Sequence, residues 1–275
     1  MKRLIVIADW ADDTLTCSEV KSAIIGSLVS FKNPDITFIS STPSTIHTGF
    51  LIEQTVLTES YFGNPEQLVI FQNTDPRLHD NNLINNPYMG KLLIIRLVNG
   101  IIVFGPNAGY DFSLIRDQID KVYFYPNYEK GGQFRSRDLY ARVAAHLIEE
   151  KEEEMDFEEL SQNPIPELKG FYIAHIDNFG NIKTTIKKSD FKGKYEFGDK
   201  IKVKINGITN QLTYAEGLFK YKPNELIIYP GSSGKKDDPY LEISVWRYFT
   251  DKKNMATGIF YFKNPLPGEK IEILD

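Results

Sequence analysis

The feature that most restricts the fold is a change of pattern partway along the chain. Before an acidic, aperiodic run at 149–159, short apolar runs rich in Ile and Val alternate with helix-length segments; after it, nearly every segment reads as a strand. Asn163, Pro164, Ile165 and Pro166 follow the acids, a composition that reads as a linker. The expected organisation is an α/β domain over residues 1–155 (an α/β/α sandwich), a linker at 156–166, and a smaller all-β domain over 167–275. Strand pattern alone leaves that second domain a small barrel or sandwich; barrel-like is the form carried forward. A hydrophobic fraction of 41% in 275 residues is enough for two cores.

In the first half, Arg3–Ala8 has the pattern of a buried strand and ends in Asp9. Open α/β sheets put ligand groups at that carboxyl edge. Asp12 and Asp13 read as ordinary acids near a helix N-terminus, with Thr16 and Ser18 as caps. Further strands are expected at 36–39, 67–71 and 122–125, and a helix at 46–60 with His47 on its surface. Asn99-Gly100 between 92–98 and 101–104 signals a hairpin. A helix follows through Leu139, Val143, Ala144 and Leu147, with His146 structural, and the asparagine-rich piece at 81–86 reads as an insertion. In the second half, strands are expected at 171–176, 200–205, 211–214, 226–229, 240–245 and 269–274.

Composition removes several function classes. A net charge of −5, with no Lys/Arg block longer than a pair, argues against a nucleic-acid surface; Lys183, Lys187 and Lys188 read as a solvated strand face. The single cysteine, Cys17, leaves no intramolecular disulfide or cysteine metal cluster, and no metal-ligand spacing or phosphate loop is present. The opening MKRLIVIADW turns polar too early for a signal peptide, and no apolar run reaches the roughly 18 residues of a membrane span, so the cytoplasm is expected.

One stretch is unusual in chemistry: GFYIAHIDNFGNIKTTI, residues 170–186, reads as strand, tight turn and strand. Asx-Gly turns are common in hairpins, and Phe179 could plug a core. Yet Asp177, Phe179 and Asn181 offer a carboxylate, an aromatic face and an amide within five residues, all of which a purine nucleoside can use.

Asp-x-Phe-Gly-Asn with its Thr-Thr-Ile tail resembles the start of the C-terminal domain of the S-adenosylmethionine hydroxide adenosyltransferases, relatives of the adenosyl fluorinase and chlorinase. Other matches run in order along the chain. Asp9 falls at the ribose-binding Asp and Lys21 at a helix Lys; Asp75-Pro76 at the Asp-Pro of the water-handling loop; Asn107 and Gly109 at a Pro-Asn-Asn-Gly segment. Arg137 and Asp138 fit both the Phe-His-Gly-Arg-Asp of hydroxide-using members and the Phe-Tyr-Ser-Arg-Glu of the fluorinase, while Ser136 fits the halide version and Arg135 fits neither. Ala144 to Leu147 match Ala-Ala-His-Leu, and Ser232 and Ser233 match the Asn-Ser-x-Gly segment at the methionine end of the ligand, ahead of an insertion at 235–239. Lys91 is nearest in position to a family arginine.

The resemblance implies displacement of methionine from C5′ of S-adenosylmethionine by water or hydroxide, giving adenosine and L-methionine. Catalytic groups would be Asp75, Arg135, Ser136 and Lys91; substrate-binding groups would be Asp9, Asn107, Asp177, Phe179, Asn181, Ser232 and Ser233. No cofactor or metal beyond that substrate is implied, no nucleic acid or membrane partner, and the assembly would be a homotrimer sharing sites between subunits. Arg135 stands where the hydroxide-using members have a histidine, and a guanidinium cannot take a proton at neutral pH. A halide or anion adenosyltransferase and a catalytically degenerate S-adenosylmethionine- or adenosine-binding protein are therefore the alternatives. Hydrolysis ranks first because Asp75 would repel a halide.

Overall fold

The computed structural model describes residues 2–30, 33–76, 83, 85–127, 132–247 and 257–274. Half of the expected insertion at 81–86 lies outside the described residues. The chain forms two compact units, Met1–Leu168 and Lys169–Asp275.

The first unit is built on β1 (Arg3–Ala8), β2 (Ile36–Ser40), β3 (Leu68–Asn73), β4 (Leu92–Leu97), β5 (Ile102–Pro106), β6 (Ile119–Phe124) and β7 (Glu158–Glu159). They form one seven-stranded sheet in the order β2-β1-β3-β5-β4-β6-β7. β1 runs parallel to β2 and β3, and β3 parallel to β5; β4 is antiparallel to β5 and β6. The near-continuous apolar content of β1 follows from its position, because both faces are covered. Leu4 and Val6 pack with Val20 and Ile24 of α1 (Thr14–Gly26) and with Val143 and Leu147 of α3 (Ala141–Ile148). Ile7, one step out of phase, packs with Ile52 and Val56 of α2 (Thr45–Phe62) on the opposite face. The result is the expected α/β/α layering.

Three local readings are corrected. Asp13, not Thr16 or Ser18, caps α1: its carboxylate accepts from Leu15 N at 3.0 Å and from the Thr16 hydroxyl at 2.6 Å. His47 is buried at the start of α2, where its Nδ1 accepts from Thr42 N at 3.0 Å. Segment 156–166 is packed into the first unit. Glu158–Glu159 pairs with β6, and Ile165 is buried in the α2-side core. Asn86 Nδ2 donates to Pro164 O at 2.7 Å, Ser113 Oγ to Pro166 O at 2.7 Å and Arg116 Nε to Ile165 O at 3.1 Å. Prolines lack N–H groups, yet side chains distant in sequence satisfy their carbonyls, so an extended proline segment is held without a strand partner.

The second unit contains β8 (Phe171–Ile176), β9 (Ile182–Lys187), α4 (Lys188–Phe191), β10 (Lys200–Ile205), β11 (Ile208–Tyr214), β12 (Leu226–Gly234), β13 (Pro239–Val245), α5 (Gly258–Tyr261) and β14 (Lys270–Leu274). The strands close into a barrel in the order β10-β11-β12-β13-β9-β8-β14, which resolves barrel against sandwich. Alternate residues fill its interior: Ile201, Val203 and Ile205 from β10, Leu241, Ile243 and Val245 from β13. Ile243→Ala, at a fully buried position, should cost about 2–5 kcal/mol of stability because the closed barrel cannot collapse onto the cavity. Urea unfolding measures this, and a loss below about 1 kcal/mol would show that the interior is not close-packed there.

Candidate functional site

β1 is flanked by β2 on one side and β3 on the other, so successive connections leave it in opposite directions and open a crevice at the carboxyl ends of the strands. Asp9 lies at the end of β1 and Asp75 just past β3, with the loop after β5 carrying Asn107 and Asp111. Asp9 is half-buried; burial raises its pKa, an internal backbone hydrogen bond lowers it, and the charges of Asp75 and Asp12 raise it further. Asp111 is fully buried and its carboxyl is held well above the usual range, chiefly by burial, with Asp75 and Asp9 adding to the shift. Its Oδ2 accepts from Ala108 N at 3.2 Å, and its Oδ1, though buried, has no hydrogen-bond partner among the described residues. Asn107 is also buried: its amide donates to Tyr88 O at 3.2 Å while its Oδ1 has no hydrogen-bond partner among the described residues.

Arg135 and Ser136 reach this edge through a π turn, Ser136–Tyr140, that leads into α3. Ser136 is buried, and its hydroxyl accepts from Asn73 Nδ2 at the end of β3. Arg135 is half-buried, and among the described residues its guanidinium forms no ion pair or hydrogen bond. Arg137 is engaged differently, with Nε 2.8 Å from Asp138 Oδ1 and a terminal nitrogen 3.3 Å from Glu19. Phe134 packs edge-on to Trp10, ring centroids 6.0 Å apart, which joins the Arg135 segment to the residue after Asp9. Trp10 Nε1 is buried with no hydrogen-bond partner among the described residues. Lys91 puts its ammonium 5.6 Å from the Tyr88 ring centre and 5.0 Å from that of Phe124, and its carbonyl accepts from Asn107 N at 2.8 Å.

Sequence reasoning missed Asp111, Trp10, Asn73 and a buried hydroxyl chain under the crevice. Ser41 Oγ lies 2.7 Å from Thr48 Oγ1, which donates to Thr74 Oγ1 at 2.7 Å, and Thr74 N donates to Gln72 Oε1 at 3.0 Å. Fixed polar groups of this kind hold strand ends in place. The available signal was an acid two residues beyond Gly109, inside an otherwise apolar segment.

In the second unit, the turn between β8 and β9 consumes most of its own polar groups. Asp177 Oδ1 accepts from Phe179 N at 2.9 Å and Asn181 N at 3.0 Å, and its Oδ2 accepts from Asn181 Nδ2 at 2.9 Å. Asn181 Oδ1 accepts from Ser244 Oγ. Gly180 takes φ +75°, and an added Cβ would run into Thr257 Oγ1. What the turn presents outward is the Phe179 ring, 59% exposed. Asp177 and Asn181 therefore shape the turn that carries this aromatic face.

Ser232 and Ser233 sit where β12 breaks register between Pro230 and Gly234, and 235–238 form the turn that returns the chain to β13. Glu242 of β13, almost fully buried, receives Ser232 N at 2.9 Å and Lys183 Nζ at 2.6 Å on one oxygen, and Tyr229 OH at 3.2 Å on the other. Lys183 is 15% exposed, so it is part of a buried ion pair and not of a solvated face. The solvated reading failed because its cross-strand partner lies 59 residues away. Burial first, and then Glu242, raises the Tyr229 phenol; burial first, and then Lys183, lowers His175. Ser233 is buried, and its hydroxyl has no hydrogen-bond partner among the described residues.

Residues 171–247 match the family model of the SAM hydroxide adenosyltransferase C-terminal domain. The (R)-S-adenosyl-L-methionine hydrolase of Methanocaldococcus jannaschii is 29% identical over 200 residues, 67% of this chain and 66% of that protein. The chain thus spans just under two-thirds of that relative's length. A crystal structure of an uncharacterized conserved protein from Thermotoga maritima has a TM-score of 0.69 at 20% identity, covering 99% of this chain and 100% of that one. One of a conserved hypothetical protein from Thermus thermophilus has a TM-score of 0.62 at 15% identity, covering 100% of both. These two likenesses carry the fold alone. Residues 171–247 thus match the C-terminal domain of the SAM hydroxide adenosyltransferases, and a larger part of the chain is similar to an S-adenosylmethionine hydrolase.

Proposed function

We propose that the protein hydrolyses S-adenosylmethionine to adenosine and L-methionine, acting as a cytoplasmic homotrimer. The observation that carries this reading is the crevice of Asp9, Asp75 and Asp111 at the carboxyl edge, with Arg135 and Ser136 on the segment beside it. Mutually repelling carboxylates favour a cationic ligand, and the sulfonium is one. The water oxygen bonds to C5′, the C5′–S bond breaks, and its electron pair leaves on sulfur as a neutral thioether. No acid is needed for the leaving group, so the residues have only to align water, desolvate it and receive its proton.

Asp75 is the group able to accept that proton. Arg135 stays protonated and orients the water oxygen, with Ser136 supporting its segment. Asp9 takes the ribose hydroxyls, Asn107 Oδ1 offers an acceptor nearby, and Lys91 braces the Asn107 loop through its backbone. In the second unit, Phe179 stacks on the base, and Ser232 and Ser233 meet the methionine end.

Incubation with S-adenosylmethionine, with and without chloride, followed by chromatography should give adenosine and methionine in both conditions. Arg135→Ala should abolish turnover while leaving adenosine affinity within about twofold, whereas Arg135→His should retain or raise it, because imidazole can hydrogen-bond water and accept its proton. 5′-Chloroadenosine as the product would transfer the reading to an anion adenosyltransferase. No product from the wild type would leave a binding protein.

Asp111 gives a prediction independent of substrate. A carboxyl whose folded-state pKa is raised contributes stability that is complete below the unfolded value near 3.9 and is lost as pH rises through the folded value. Asp111→Asn removes that titration, so its urea midpoint should approach the wild type's near pH 4 and exceed it at pH 8. An equal difference at both pH values would mean that Asp111 ionises as freely in the folded protein as in the unfolded chain.

A further inference from the structure

The outer face of β13 joins the two ligand-facing segments of the barrel. Leu241, Ile243 and Val245 point into the core, so Glu242 and Ser244 point outward, yet they are only 4% and 2% exposed because loops cover them. Glu242 holds the bulge through Ser232 N and Oγ, at 2.9 and 3.3 Å. Gly231 lets the bulge close over it, since a Cβ there would run into the Glu242 carboxyl. Ser244 holds the β8–β9 turn through Asn181 Oδ1. In the antiparallel register Glu242 faces Lys183 and Ile243 faces Ile182, so Ser244 stands opposite Asn181. Two residues along one strand face are about 7 Å apart, a spacing that the hydrogen-bonded barrel keeps fixed.

The two held segments offer different chemistry. The turn presents the exposed Phe179 ring, suited to stacking on a base. At the bulge lie the buried hydroxyl of Ser233, which has no hydrogen-bond partner among the described residues, and the Lys183 ammonium, 3.3 Å from Ser232 Oγ, both of them donors for a carboxylate. We propose that Glu242 and Ser244 are positioning residues that fix the nucleoside-holding turn and the amino-acid-holding bulge relative to each other, each governing one end of the ligand. The assignment of ends rests on the S-adenosylmethionine reading.

The test is calorimetry of the full chain with L-methionine and with adenosine as separate ligands. Glu242→Gln should weaken methionine by about tenfold or more and leave adenosine within about twofold; Ser244→Ala should do the reverse. Where either variant unfolds, Glu242→Asp, which withdraws the carboxylate from Ser232, should still weaken methionine alone, and Ser244→Thr, which keeps the hydroxyl, should retain both affinities. Equal losses for both ligands, or none, in folded variants of a protein that binds both would overturn the inference alone. Wild-type protein that binds neither ligand would overturn the S-adenosylmethionine reading, and this inference with it.

Discussion

Carboxylates gathered where water is scarce repel one another, and the first unit is arranged so that Asp9 and Asp111 face that cost at one sheet edge, burial leading and the charge of Asp75 adding to it. The parallel strands fix the positions. β1 and β3 lie side by side in strict register, and each releases an acid beyond its carboxyl end. Ser41, Thr48, Thr74 and Gln72 then lock the strand and helix ends beneath through short hydrogen bonds, leaving the acids little freedom to separate. On the proposed reading, a bound sulfonium would relieve the repulsion, and its loss as a neutral thioether on displacement at C5′ would restore it. On this account the electrostatics favour both substrate capture and product release.

The barrel meets the opposite demand, because its polar groups are almost entirely satisfied by one another. Glu242 collects donors from Lys183, Tyr229 and Ser232, and removing one partner of the Lys183–Glu242 pair would leave a buried charge, at a cost of about 3–5 kcal/mol. Among the groups that the barrel exposes is the Phe179 face, while at the bulge the hydroxyl of Ser233 is buried without a hydrogen-bond partner among the described residues. Rigid support with few exposed contact groups suits recognition of a ligand that the barrel does not itself transform.

The strands of both units were legible because their apolar runs are short and bounded by turn residues; Phe171–Ile176 and Lys200–Ile205 coincide with the expected limits. Features set by contacts remote in sequence were not legible. Prolines 164 and 166 read as a linker but are held by Asn86 and Ser113. Lys183 read as solvated until Glu242, 59 residues on, was brought opposite it. Asp111 is marked locally only as an acid inside an apolar segment; its burial comes from the packing of the loop after β5. In the turn, hydrogen bonds assign Asp177 and Asn181 to shaping it and leave the Phe179 ring exposed, a division of labour that residue spacing alone does not give.

Hydrolysis by this route requires that an oxygen from water become bonded to C5′. Turnover of S-adenosylmethionine in water enriched in oxygen-18, followed by mass spectrometry of both products, addresses it directly. The account predicts one labelled oxygen in the 5′-hydroxyl of adenosine and none in methionine. Adenosine without label, or the label in methionine, would contradict it.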